Sequence, residues 1–282
     1  MAEVTIRDLA LDGPHGPVPV REYGTAASGG AHLLWVHGGG FGHGDLDMPE
    51  SDRVARRLAE HGHHVLAVDY RLADGATHYP VPSDDVLTAW QWLGERPGVS
   101  RAHLGGASAG ANLAVGVTVR IAAGQVPGPR PASLVLAYPT LHARQDPPDP
   151  QVCAALELTP EQVADELTGI RQMYENYLGG PVDAAPAAVV PAPSDLAALP
   201  PALVLISEYD IFRPSAEALV AARRTAGRPV WRHLEPGARH GHLNTAEPDA
   251  DRSIARIASW LDGKGDSDGD GWSGGDGPPV RP

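Results

Sequence analysis

The sequence predicts an α/β fold, with a mostly parallel central sheet and helices on both faces. Three observations predict it. Short apolar runs alternate with segments of helical period along most of the chain, which calls for crossover connections and hence parallel strands. One predicted helix, over about 109–123, is apolar almost all round, so it belongs deep in the protein. The chain has 282 residues, 42% hydrophobic and 20% charged, which is ample for a large core.

The elements follow in order. Residues 4–9 and 18–22 read as strands around Asp12-Gly13-Pro14-His15-Gly16-Pro17, a turn-rich hairpin connection. Residues 32–37 form an apolar strand. Residues 50–61 read as a helix, with Val54 and Leu58 four apart among charges. Residues 65–69 are a strand, and 83–94 a helix with Val86, Leu87, Trp90 and Leu93 on one face. A strand over 101–107 leads into the buried helix, and 134–138 is a further strand. Residues 141–199 interrupt the alternation and are too long for a plain loop, so a cap or lid insertion is expected there. Inside it Thr159, Pro160 and Gln162 start a helix by capping-box spacing, Val163, Leu167, Ile170, Tyr174 and Tyr177 form its stripe, and Gly179-Gly180-Pro181 stops it. Alternation resumes with a strand over 202–207, a helix over 214–226, a strand over 229–234 and a helix over 247–261. The expected organisation is a core of residues 1–140 and 200–262, a cap at 141–199, and a Gly/Asp-rich tail at 263–282. That tail has too little apolar material to offset its ordering entropy, so disorder is expected.

Composition narrows the function. The 22 Lys and Arg against 35 Asp and Glu give a net charge of −13, which argues against nucleic acid or an anionic membrane surface as partner. The single cysteine, Cys153, cannot make an internal disulfide, and no signal peptide or bilayer-spanning run is visible. A cytoplasmic protein acting on a small molecule is expected, as a monomer or homodimer. No cofactor is expected, and no metal. His61-Gly62-His63-His64 lacks partners at ligand spacing, and Asp266, Asp268, Asp270 and Gly271 make only half of a calcium loop.

Gly106-Ala107-Ser108-Ala109-Gly110 carries the chemistry. It has the G-x-S-x-G spacing between a predicted strand and a predicted buried helix. Such a turn strains the serine and lifts its hydroxyl above the helix N-terminus, where N–H groups favour developing negative charge. Alone, the pentapeptide also describes a Gly-rich turn with a helix-capping serine. His37-Gly38-Gly39-Gly40-Phe41 ends an apolar strand and offers unobstructed amides to an oxyanion. A phosphate loop is the competing reading, but no Walker-type lysine follows. Asp210 and His240 then come in order, each just past a predicted strand, where open α/β sheets place their sites. Glu208 and Glu235 are alternative acids, and His233 and His242 alternative bases.

Together, HGGGF at 37–41, DYRLA at 69–73, GASAGANLA at 106–114, EYD at 208–210 and HGH at 240–242 resemble the hormone-sensitive-lipase-like esterases of the α/β-hydrolase superfamily. The resemblance covers about residues 30–262. It implies an α/β-hydrolase fold, with Ser108 as nucleophile, His240 as base and Asp210 as orienting acid. It implies the amides of Gly39, Gly40 and Ala109 as oxyanion hole, leaving open which two of the three glycines donate. Three positions depart from the family pattern. Ala107 stands where the family usually has Asp, so a polar contact near the elbow is missing. His242 replaces an aromatic after the His-Gly pair. The segment before the glycine loop is short, so the cap relies on 141–199. The expected reaction is hydrolysis of short acyl or small secondary-metabolite esters through an acyl-enzyme. A lyase or acyltransferase on the same fold is the alternative, as is a non-catalytic receptor.

Overall fold

Strands and helices alternate as the periodicity requires. The structure, a computed structural model, describes residues 4–25, 29–264 and 270–272. The N-terminal hairpin is β1 (Ile6–Gly13) and β2 (Gly16–Tyr23). Then come β3 (His32–Val36), α1 (Asp52–Glu60), β4 (His64–Val68), α2 (Val81–Gly94), β5 (Ala102–Ala107), α3 (Ala109–Ala122) and β6 (Leu134–Ala137). The long interruption holds α4 (Pro150–Ala155), α5 (Pro160–Leu178) and α6 (Pro193–Ala198). The chain continues through β7 (Ala202–Tyr209), α7 (Arg213–Thr225), β8 (Val230–Arg239), α8 (Pro248–Leu261) and β9 (Asp270–Trp272).

The sheet order is β1-β2-β4-β3-β5-β6-β7-β8-β9. The strands from β4 to β8 pair in parallel, while the hairpin at one edge and β9 at the other are antiparallel. Every residue of β3, β4 and β6 is buried, because helices cover both faces. On one face Leu34, Leu66, Leu104, Leu136 and Val204 pack under α2 and α3. On the other, Leu33, Trp35, Val65, Val135 and Leu205 pack under α1 and α8. Each such side chain contributes about 1.5–3 kcal/mol on burial.

α5 starts as the capping box requires. The Gln162 N–H donates to Thr159 Oγ1, and the Thr159 N–H donates to Gln162 Oε1. Val163, Ile170, Tyr174 and Tyr177 are its buried face. The far end of the interruption returns to the sheet: Arg223 of α7 donates to the Leu196 and Leu199 carbonyls at 3.3 and 2.6 Å.

The segment expected to be a disordered tail differs at three residues. Asp270–Trp272 pairs antiparallel with Val230–Arg232 and satisfies an edge of β8 that would otherwise stay open. The rest of the tail from residue 265, including most of the half calcium loop, lies outside the described residues.

Candidate active site

Ser108 occupies the turn between β5 and α3 with φ 51° and ψ −117°, a conformation costly for a residue with a Cβ. The Ser108 N–H donates to the Ala137 carbonyl at 2.9 Å, which fixes the turn against β6. α3 carries no acidic residue in its first turn, so its N-terminal N–H groups face the hydroxyl undiminished.

Two strand ends bring the partners. β7 and β8 pair in parallel with a register irregularity between Ser207 and Tyr209, and Asp210 and His240 follow these strands. Ser108 Oγ lies 2.9 Å from His240 Nε2, and His240 Nδ1 lies 2.7 Å from Asp210 Oδ2. The other oxygen of Asp210 accepts the Phe212 N–H at 2.7 Å, so this buried carboxylate is held on both sides. The three side chains singled out from sequence therefore converge. Burial pushes the His240 ring down, but the Asp210 carboxylate, its hydrogen bond and the charge of Glu50 push it up further, leaving it above the ordinary imidazole value.

The glycine loop lies alongside. Gly39 and Gly40 take φ of 95° and 60°, open to glycine at little cost. The Gly39 carbonyl accepts the N–H groups of Gly42 and His43, and the Tyr70 hydroxyl donates to the Gly38 carbonyl at 2.9 Å. The Gly38 N–H donates to Glu50 Oε1 at 2.6 Å. Among the described residues nothing accepts from the N–H groups of Gly39, Gly40 or Ala109. A cavity of about 720 Å³ opens at this loop, lined by Gly39, Gly40, His43, Ala73, Met173 and Asn176 among others. Met173 and Asn176 come from α5, so the interruption supplies one wall.

The rival acids and bases sit elsewhere. Glu208 Oε2 accepts the Gly237 N–H at 2.7 Å. Glu235 is buried against Ser253, Arg252 and Arg256, and His233 Nε2 lies 3.5 Å from it. His242 is buried between two hydroxyls, with Nδ1 3.0 Å from Ser207 Oγ and Nε2 2.8 Å from Ser253 Oγ. Both of its ring nitrogens are engaged away from Ser108, so it neither forms the pocket rim nor competes as base. Among the described residues no cluster of His, Cys, Asp or Glu could hold a metal, and no helix is long and apolar enough to cross a membrane.

Sequence reasoning missed Glu50, Tyr70 and Tyr138, whose hydroxyl donates to Glu50 Oε2 at 2.8 Å. Tyr70 belongs to the DYRLA motif, which was noted without a role. Glu50 lies in a polar run and has no local signal.

Comparison with known proteins gives the same picture. A family model described as alpha/beta hydrolase fold matches residues 33–244. The carboxylic ester hydrolase LipN of Mycobacterium tuberculosis is 31% identical over 257 residues, 86% of this chain and 65% of LipN. The ethyl acetate hydrolase of Pseudomonas putida is 31% identical over 91% of this chain and 82% of its own length. Among solved structures, an esterase of Pyrobaculum calidifontis superposes with a TM-score of 0.77 at 27% identity, covering 91% of this chain and 85% of that one. The chain belongs to the α/β-hydrolase fold family, in its hormone-sensitive-lipase-like branch of carboxylic ester hydrolases.

Proposed function

We propose that Ser108, His240 and Asp210 are the catalytic triad of this carboxylic ester hydrolase, acting on short acyl esters. The observation that carries the reading is the continuous relay Ser108–His240–Asp210, at 2.9 and 2.7 Å, beside the unengaged amides of the glycine loop.

A serine hydroxyl is a weak nucleophile at neutral pH and needs a neighbouring base. Neutral His240 accepts the Ser108 proton as Oγ attacks the acyl carbonyl. Asp210 holds the proton on Nδ1, so that Nε2 is the basic atom, and stabilises the imidazolium that forms. The carbonyl oxygen becomes an oxyanion and takes hydrogen bonds from Gly39, Gly40 and Ala109. Gly38 is left out of this set because its N–H is already given to Glu50. Each such donor is worth roughly 10²–10³ in rate. The imidazolium then protonates the leaving alcohol, and water activated by His240 releases the acid.

We propose that the insertion at 141–199 is a cap over the glycine loop, because α5 places Met173 and Asn176 in the cavity wall. Small acyl groups fit a chain with only 2 Phe and 5% aromatics, which offers little lining for a long acyl tunnel. The ethyl acetate hydrolase and acetyl esterases among its relatives support the same size class. The partner is a small-molecule ester rather than nucleic acid or membrane, and the cytoplasm is the proposed location.

A fluorophosphonate probe and a panel of p-nitrophenyl esters of increasing acyl length test the reading together. Labelling at Ser108 and fastest turnover on the shortest esters are expected. Folded protein that neither labels nor hydrolyses any ester would make it a receptor. Acyl transfer without solvent oxygen entering the acid would make it a transferase.

A further inference from the structure

Glu50 sits in the polar run Asp45-Leu46-Asp47-Met48-Pro49-Glu50-Ser51-Asp52, yet it is only 2% exposed. Four elements hold it. Oε1 accepts the Gly38 N–H at 2.6 Å, and Oε2 accepts the Tyr138 hydroxyl at 2.8 Å. Its N–H donates to Asn244 Oδ1 at 3.2 Å, in the turn that follows His240, and its carbonyl accepts the Trp35 indole N–H at 2.7 Å. Among the described residues no Arg or Lys pairs with it. A buried carboxylate without a cation costs several kcal/mol, so chain stability is a poor reason to keep one.

Its two side-chain partners flank the reacting groups. A Cβ built on Gly38 would stand 2.6 Å from Glu50 Oε1 and 3.1 Å from the Ser108 Cβ, so the carboxylate and the nucleophile crowd the same side of Gly38 and leave no room for a side chain. The Tyr138 ring lies edge-on between the rings of His240 and His242, at centroid distances of 5.1 and 5.0 Å. Ala107, before the nucleophile, is fully buried and carries no polar group, so the elbow itself brings no carboxylate to this cluster.

We propose that Glu50 is a positioning residue of the hydrolase: its carboxylate clamps the Gly38 amide and the Tyr138 hydroxyl, and thereby fixes the glycine loop beside Ser108 and the ring that backs His240. The proposal rests on the triad reading above. The clamp fixes Gly38, which precedes the two amides that meet the oxyanion, so its loss is felt in the transition state more than in substrate binding. The charge has a second effect. His240 faces Ser108 at Nε2, Asp210 at Nδ1, Tyr138 on one side and Phe212 on another, with His242 beyond the Tyr138 ring. Glu50 favours the imidazolium from behind Tyr138 and adds to Asp210.

Two variants separate clamp from charge. Glu50→Gln keeps the reach and removes the charge. Glu50→Asp keeps the charge and shortens the reach by one methylene. Each is assayed with p-nitrophenyl acetate across the imidazole range, alongside thermal unfolding and fluorophosphonate labelling. In either folded variant kcat is expected to fall about 10–100-fold with KM within about 3-fold. The acidic limb of kcat/KM is expected to move to lower pH in Glu50→Gln and to stay in place in Glu50→Asp. A merely structural residue would lower the melting temperature and leave kcat per folded molecule alone. If kcat stays within about 2-fold of the parent in both variants, the proposal is overturned, whatever their stability. Should Glu50→Gln not fold, Glu50→Asp decides by the same kcat criterion. A parent protein that neither hydrolyses the ester nor labels at Ser108 overturns the triad reading with it, whereas an active parent with unchanged variants overturns this proposal alone.

Discussion

Acid is expected to weaken the fold at a lower pH than that at which His240 takes up its proton, and His103 is the group through which the two events separate. His103, in β5, places Nδ1 2.7 Å from Ser133 Oγ, and that hydroxyl also accepts the Trp260 indole N–H at 2.9 Å. Burial chiefly holds the ring down, to about 4, and Arg101, His63 and His32 push the same way. In the unfolded chain the ring titrates near its ordinary value of 6.5. The folded value is the lower one, so its contribution is fully present above about 6.5 and is lost as pH falls towards 4. A gap of about 2.5 units corresponds to at most about 3 kcal/mol, less whatever solvent screens at this partly buried ring. His32, His63, His64, His142 and His242 are also held down by burial, so several groups share the loss. His240 has the opposite sign: its stabilising pair with Asp210 is complete below about 6.5 and fades as pH rises through its folded value. Urea unfolding at a series of pH values is the assay, with His103→Asn as the perturbation. Asn retains a polar partner for Ser133 and removes the titration. Stability of the parent should fall between pH 7 and about 4, and the variant should lose about 2–3 kcal/mol less over that span. The acidic limb of its kcat/KM should stay where the parent has it. A parent curve flat over that range, or a variant with the parent's full slope, refutes the reasoning.

Three further outcomes follow from the site. Ser108→Ala should lower kcat by roughly 10⁶ and abolish fluorophosphonate labelling, with a melting temperature close to the parent's. His240→Ala should be comparably inactive, whereas His242→Ala should cost about 1–3 kcal/mol, because it strands the Ser207 hydroxyl and leaves Ser253 with Glu235 alone, and keep kcat per folded molecule within about 10-fold. Steady-state rates normalised to the folded fraction distinguish these, and a dead, well-folded His242→Ala would move the base assignment. Gly110→Ala should slow turnover by about 10² in p-nitrophenyl acetate assays, because its Cβ would meet the Val36 and His37 carbonyls and push the start of α3 away from the glycine loop.

The fold and the convergence of Ser108, Asp210 and His240, the proposed triad, were legible because both leave local marks. Strands buried on two faces read as unbroken apolar runs, as in Leu33, Leu34, Trp35 and Val36, and the elbow needs small residues on each side of Ser108. Asp210 and His240 were readable only through their places after strands. What separated them from Glu208, Glu235 and His242 is three-dimensional: a register irregularity beside Ser207 and a pair of hydroxyls that hold His242 aside. The pairing of residues 270–272 with β8 was also illegible, since edge pairing of a Gly/Asp-rich segment is backbone chemistry with no side-chain pattern.

Glu50 shows where local reading stops. A glutamate among Asp45, Asp47 and Asp52 has the pattern of a solvated loop, and its burial comes from Gly38, Tyr138 and Asn244, which belong to three other segments. No window around Glu50 carries that information. The amide of Gly38 is buried and must be given an acceptor. Glu50 supplies it from the loop ahead of α1, and the side chain that reaches in brings its charge close to His240.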